Sequence, residues 1–278
     1  MAGISRKAAF PTISHQPLSK RLKDRRIAKA PDAGIPTDRM VAFFYGCSNN
    51  YYEPELGELA IAVLEHFDQE VILPRQMCCG LPLQSNGLLD AARRYARANI
   101  SWLAPYAVRG IPIVATSTSC SLALKHDYRA ILGLSGDDAE VVSFATYDIF
   151  EFFSMQLADR VMASKFATLE RNALYHPPCQ LRSHGIGAPA VRILSRIPGL
   201  TIHLSNAECC GVAGTYGMKQ EKYSVAKEVG KHLFDQAQQL TADFILCDSE
   251  TCRWWISKHT LLPVYHPLEI LARALQIV

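Results

Sequence analysis

The chain lacks any apolar run near the roughly 20 residues that a membrane-spanning helix needs. No basic-then-apolar leader opens it, which speaks against a secretory signal. No Walker lysine pattern and no dinucleotide glycine spacing occur, so neither nucleoside triphosphate nor nicotinamide or flavin binding is signalled. The close-set Cys-x2-Cys-x2-Cys run of ferredoxin cubanes is missing. So are the paired short-spaced knuckles of structural zinc. Charge is sparse at 20% against 49% hydrophobic residues, the balance of a globular chain. At 278 residues the chain can bury one large core or two ordinary ones, so it does not need disulfide staples. Its nine cysteines are also an odd number, which a full disulfide framework would not use up. These features together lead us to expect a soluble protein of a reducing compartment.

What is present is a duplicated thiol pattern. Cys47, Cys78, Cys79 and Cys120 form one set, and Cys179, Cys209, Cys210 and Cys252 the other. The step from Cys47 to Cys78 matches that from Cys179 to Cys209, and the step from Cys79 to Cys120 matches that from Cys210 to Cys252, each to within a single position. Such a register marks an internal repeat. Each adjacent pair is followed by a glycine, Gly80 or Gly211, which lets the backbone turn tightly behind two thiols. The ninth cysteine, Cys247, has no counterpart, because Ala115 holds the equivalent place.

Apolar runs alternate with helical periodicity in the same order in both halves. The first half reads as strands at 40–45, 71–73, 111–115 and 141–144, with helices near 54–67, 87–108 (interrupted near Pro105) and 122–131, and a further helix starting at Asp148. The second half reads as strands at 173–176, 200–204, 242–246 and 264–265, with helices near 188–196, 221–240 and 267–275 and another after Cys252. This order predicts an α/β fold with two pseudo-equivalent repeats, each a short parallel sheet flanked by helices. The expected domains span 40–155 and 170–278, after a poorly ordered basic tail and linker over 1–39. In every case a cysteine follows the carboxyl end of a strand or opens the next helix. That is where open α/β sheets place their sites, and where helix N-termini favour thiolate charge.

The tail is electrically distinct. Residues 1–39 hold nine Lys and Arg against three Asp, a net of +6, while the remainder carries 20 against 23, a net of −3. The basic centre is Lys20-Arg21-Leu22-Lys23-Asp24-Arg25-Arg26, followed by Pro31, Gly34 and Pro36 as a linker signal. Two readings stand beside a plain solvated tail: a contact with an anionic membrane or partner, and a transit peptide.

Soft thiolates select zinc, copper(I) or iron–sulfur clusters. Adjacent cysteines are awkward around one ion but can reach different irons of one cluster. Isolated cysteines would be read as small buried hydrophobes; eight in duplicated register are not. Cys247 lies two residues before Ser249 and, if extended, points to the same side. It is either an additional ligand or a packed small residue. His176 and His184 flank Cys179, each a ligand, a proton carrier or a hydrogen-bonded structural residue. Gly211 to Gly217 reads as a close-packed turn, and Trp254 and Trp255 as core or interface.

These residues resemble a known family. The duplicated Cys…Cys-Cys-Gly…Cys pattern is similar to the cysteine-rich CCG domain found in the B subunit of heterodisulfide reductase and in the iron–sulfur subunits of glycolate and lactate oxidases. A narrower resemblance is to the family formed by the C subunit of anaerobic glycerol-3-phosphate dehydrogenases, over about residues 40–276. It is carried by Phe44-Tyr45-Gly46-Cys47 with Asn50-Tyr51, and by Cys78-Cys79-Gly80-Leu81-Pro82-Leu83 with Asn86-Gly87. Ala115-Thr116-Ser117-Thr118-Ser119-Cys120, Tyr175-His176-Pro177-Pro178-Cys179, Cys209 to Gly217, Ser249-Glu250-Thr251-Cys252 and His266-Pro267 continue it.

The resemblance implies one iron–sulfur cluster per repeat, 4Fe–4S and cubane or non-cubane, held by these eight cysteines, with zinc at one site as an alternative. It implies an oxidoreductase-complex subunit that passes electrons from a flavoprotein dehydrogenase subunit towards the quinone pool. A disulfide-reducing subunit and a zinc-binding structural module are the alternatives. The implied setting is cytoplasmic, peripheral on the inner face of the membrane, with no nucleic-acid partner. This family's fuller members begin with a ferredoxin-type domain. Residues 1–39 contain no cysteine, so the expectation is either a truncated or split member, with such a domain on another chain, or electrons that arrive by another route. The family motif also ends in Cys-x2-Cys, whereas Ser117 and Ser249 stand here at the first of those positions, one thiol fewer per set.

Overall fold

The computed structural model describes residues 3–25 and 36–278. Two four-stranded parallel sheets organise the chain. In the first, β1 (Met40–Phe43), β2 (Glu70–Ile72), β3 (Ile113–Ala115) and β4 (Thr146–Asp148) lie in the order β2-β1-β3-β4. In the second, β5 (Arg171–Tyr175), β6 (Leu200–Leu204), β7 (Phe244–Leu246) and β8 (Val264–Tyr265) lie in the order β6-β5-β7-β8. The topology repeats strand for strand, so the fold is α/β with two pseudo-repeats. The chain divides into two compact units, Ile13–Val161 and Met162–Val278 together with Met1–Thr12, and each holds one sheet.

The strands are short and their centres are apolar. All four residues of β1 are buried, as a strand covered on both faces requires. On one side Ala42 packs in a cluster with Ala92, Ala96 and Leu103 of the helix Leu89–Ala107. Small residues at helical spacing let that helix lie close to the sheet. Pro105 sits in its last turn without ending it, so the expected interruption is absent. In the second unit the helix Tyr223–Gln239 takes the corresponding place, with Ala226, Leu233, Phe234 and Ala237 in the core.

One strand assignment is corrected. Val141-Val142-Ser143-Phe144 lies inside the helix Asp137–Ala145, and the fourth strand is Thr146–Asp148. Gly136 breaks the chain before it with φ +116, and Asp137, Asp138 and Glu140 fill the first turn, where acids complement the helix dipole. Val142 is buried and Phe144 is 68% exposed, so the apolar run does not occupy one face. Asp148 does start a helix, as its N-cap in a capping box with Glu151.

Residues 3–25 are not a loose tail. Ile4 bridges Lys219, and Ser5 N–H donates to the Met218 carbonyl at 2.9 Å. Leu18 is fully buried beside Gly57, in a notch where a Cβ on residue 57 would sit 2.5 Å from Leu18 Cδ2. Arg21 pairs with Glu55 and Glu58 at 2.7 and 2.9 Å, and Arg25 with Glu65 at 2.5 Å. Part of the basic charge is therefore met within the first unit. Arg26 and the Pro31 and Gly34 portion of the expected linker lie outside the described residues. Among the described residues, no helix is long and apolar enough to cross a membrane.

Candidate metal centres

Each thiol set is assembled from three loops at the carboxyl ends of parallel strands. In the first unit, Cys47 follows β1 and precedes the π-helical turn Ser48–Tyr52. Cys78 and Cys79 end the loop after β2, and Gly80, at φ +89, is the N-cap of the helix Leu81–Ser85. Cys120 lies in the helix Thr118–Leu122 after β3. Gln76 ties the first two loops together: it accepts from Gly46 N–H and donates to the Phe43 carbonyl, both at 3.0 Å. Asn99, fully buried on the helix Leu89–Ala107, holds the paired cysteines from behind. Its Oδ1 accepts from Met77 N–H at 2.9 Å, and its Nδ2 donates to the Cys78 carbonyl at 3.1 Å. Tyr128 hydroxyl donates to the Cys79 carbonyl at 3.0 Å.

The four sulfurs meet as a chain. Cys47 Sγ and Cys78 Sγ are 3.5 Å apart. Cys78 is hydrogen-bonded to Cys79, and Cys79 to Cys120. A Cβ on Gly46 would stand 3.0 Å from Cys120 Sγ and 3.5 Å from the Phe44 ring, so Cys120 reaches the Cys47 loop and Phe44 lines the same spot. The second unit repeats the pattern. Cys179 is hydrogen-bonded to Cys209 and Cys209 to Cys210, and Cys210 Sγ lies 3.2 Å from Cys252 Sγ. All eight thiols singled out from the sequence are therefore brought into their two sets, and none of the nine cysteines forms a disulfide. Cys247, buried just past β7, also contacts Cys252.

Thiols this close cannot all ionise together. Hydrogen bonds from Cys47 and Cys79 hold Cys78 down at about 3, while its neighbour Cys79 is pushed up by Cys120, Cys78 and burial. In the second set Cys179 and Cys210 hold Cys209 at about 2, and Cys210 and Cys247 hold Cys252 well below the ordinary range. Cys210 is pushed up by Cys209, Cys252 and burial, and Cys247 by burial and Cys252. A metal cation reverses this competition, because coordination deprotonates a thiol outright. The donors fit a soft-metal or metal–sulfur centre. Among the described residues no group of three or more His, Cys, Asp or Glu is arranged to hold a single ion.

Ser117 and Ser249 occupy N-cap positions. Ser117 Oγ accepts from Cys120 N–H at 3.4 Å, so its hydroxyl positions the backbone of a thiol residue. Ser249 Oγ lies 3.3 Å from Thr251 Oγ1. Gly211 is required sterically as well as for its φ of +94: a Cβ there would meet the Ala226 carbonyl at 2.0 Å. Gly217 is similarly confined, whereas a Cβ on Gly214 would meet nothing within 4 Å, so the expected close packing holds at the ends of 211–217 and not in its middle. Trp255 is core, buried against Tyr223 and His259 at ring distances of 5.1 and 4.3 Å. His184 ends the helix Cys179–His184 before the cap Gly185. His176 is fully buried; burial lowers its pKa, against the opposing pull of Cys252 and Cys209.

Sequence reasoning did not find Gln76, Asn99, Tyr128 or the pair Tyr175–Asp248. In that pair the tyrosine donates to the carboxylate at 2.6 Å, and burial raises Asp248 to about 6. Asn99 had a signal: it is a polar residue on the apolar stripe of Ala92, Ala96, Ile100 and Leu103.

The fold and the two thiol sets define a class: a duplicated α/β protein that gathers four cysteines at the strand ends of each half. The family model described as a cysteine-rich domain, CCG, matches residues 41–125 and 173–257. The chain belongs to that family. It is 36% identical over 238 residues to the C subunit of anaerobic glycerol-3-phosphate dehydrogenase of Escherichia coli, covering 84% of this chain and 59% of that protein. It is 29% identical to the B subunit of fumarate reductase (CoM/CoB) of Methanothermobacter marburgensis, covering 89% and 49%. Lactate utilization protein A 2 of Bacillus cereus is 26% identical, covering 84% of this chain and 98% of that one. The chain thus spans about half to three-fifths of the first two relatives. Among solved structures, a hypothetical protein from Helicobacter pylori shares the fold with a TM-score of 0.52 at 16% identity, covering 93% of this chain and 53% of that one.

Proposed function

We propose that the chain is an iron–sulfur electron-transfer subunit of a flavin-linked dehydrogenase complex of the glycerol-3-phosphate dehydrogenase kind. The observation that carries this reading is the convergence, twice, of four thiols that include an adjacent pair. Their contacts run pairwise along each set, an arrangement suited to several metal atoms rather than one. The first centre would be held by Cys47, Cys78, Cys79 and Cys120, and the second by Cys179, Cys209, Cys210 and Cys252. When bound, iron–sulfur clusters accept and release single electrons at potentials tuned by net charge, hydrogen bonds and exposure. The chain's own part is to hold the thiolates, exclude water and leave an edge open. Cys79, Cys120, Cys210 and Cys252 are buried, Cys47, Cys78 and Cys209 half-buried, and Cys179 exposed, so each set runs from interior to surface.

Electrons would enter from a flavoprotein dehydrogenase subunit and leave towards the quinone pool, with the chain peripheral at the membrane. The relative of that name supports the partner class. Lys20 and Lys23 are the basic residues that would meet an anionic surface. The test is metal analysis of anaerobically prepared protein. Iron with acid-labile sulfide in both repeats is expected, and a colourless protein holding stoichiometric zinc after anaerobic reconstitution refutes the reading. The isolated chain should not reduce a dye with glycerol 3-phosphate until the flavoprotein is added.

A further inference from the structure

The two thiol sets match, but their surroundings do not. Position 44, three before Cys47, corresponds to position 176, three before Cys179. Phe44 lines the first centre: its ring and Cys120 Sγ both face the space beside Gly46. The second repeat puts an imidazole at that position.

His176 is 0% exposed, and neither Nδ1 nor Nε2 has a hydrogen-bond partner. A buried polar group left without a partner costs about 1–3 kcal/mol, and native proteins rarely leave one so. The other enclosed histidine among the described residues, His266, behaves as expected: its Nδ1 accepts from Leu268 N–H at 3.0 Å. The backbone of His176 is held at the end of the sheet. Its backbone N–H donates to the Leu246 carbonyl at 2.8 Å, which extends the pairing of β5 with β7. The thiols of Cys209 and Cys252 are within electrostatic reach of its ring. A group bound at the second centre would supply that partner.

We propose that His176 supplies an imidazole ligand to the metal centre of the second repeat, making it a mixed thiolate–imidazole centre beside an all-thiolate first one. The proposal rests on the iron–sulfur reading above. A neutral imidazole adds a ligand without adding negative charge, and histidine ligation in place of thiolate raises a cluster's potential. A thiolate at that position would add negative charge and lower the potential of the second centre.

The experiment uses the full chain, prepared anaerobically with 15N-labelled histidine. Pulsed EPR is recorded with each centre poised in its paramagnetic state. One strongly coupled histidine nitrogen is expected, at one centre only. The coupling is lost in His176→Phe, which copies the first repeat, and in His176→Cys. In His176→Cys the potential of that centre falls, while the other centre keeps its potential and spectrum. Absence of a strongly coupled histidine nitrogen in the unmodified chain overturns the proposal, as does a coupling that survives either substitution. If His176→Phe fails to assemble the second centre, the labelled unmodified chain and His176→Cys still decide. Iron and sulfide in both repeats without the coupling refutes only the ligand; absence of iron and sulfide refutes the iron–sulfur reading and the ligand together.

Discussion

Gly230→Ala tests how the second thiol pair is supported. Gly230 lies in the middle of the helix Tyr223–Gln239, where alanine is ordinarily favoured by about 1 kcal/mol. Here a Cβ would stand 2.2 Å from the Cys210 carbonyl oxygen and 2.7 Å from Phe234 Cζ. The oxygen belongs to a backbone fixed on its other side, because a Cβ on Gly211 would itself stand 2.0 Å from the Ala226 carbonyl. Ordinary carbon–oxygen contact is about 1 Å longer, so the helix must retreat. A gap of that size forfeits up to about half of each dispersion contact along its face. Overpacking of this kind costs about 1–3 kcal/mol, and a rigid backbone partner puts it at the upper end. Set against the helix gain, a net loss of about 2 kcal/mol is expected. Urea unfolding followed by tryptophan fluorescence reads it, since Trp254 and Trp255 lie in this unit and Trp102 in the other. The second centre should also lose metal before the first. Adding Phe234→Ala should recover little, because the carbonyl remains. A stabilised Gly230→Ala protein, or full recovery in the double variant, would refute the close contact of helix and turn.

Other outcomes follow from the same contacts. Asn99→Ala strips the Met77 N–H and Cys78 carbonyl of their partner, and should cost about 1–3 kcal/mol in urea unfolding and loosen metal at the first centre only. Leu18→Ala empties the notch beside Gly57, at about 2–5 kcal/mol; an unchanged unfolding midpoint would mean that residues 13–25 are not held against the first unit. Cys247→Ala should alter the absorption and EPR of the second centre alone, with Ser249→Cys restoring them; unaltered spectra would make Cys247 a packing residue.

Much of the site was legible because its chemistry admits few substitutes. Thiols at matched spacing align the two halves without any structure, and the apolar runs before them give the strand order. Where the reading failed, the deciding contact was distant or local signals competed. Val141–Phe144 is too short for its period to separate strand from helix, and the acid-rich start at Asp137 was the better guide. The tail looked loose because charge dominates its composition. Its order depends on Leu18 entering a notch made by Gly57, far along the chain, which no local pattern reports. Asn99, Tyr128 and Gly230 act on backbone carbonyls of the cysteine loops, and a carbonyl leaves no mark in a sequence.

The duplication keeps the thiols and changes what surrounds them. At corresponding positions, counted from Cys78 and from Cys209, the first repeat has Asn99 and the second Gly230. One holds its cysteine loop by hydrogen bonds and the other by bare backbone contact. Phe44 becomes His176 and Ala115 becomes Cys247, so the second repeat has an imidazole and a thiol where the first has a phenyl ring and a methyl group. The exchange of Phe44 for His176 has a cost, since a buried imidazole without a partner is unfavourable. Unequal donors would give the two proposed centres unequal potentials, without moving any of the eight shared cysteines.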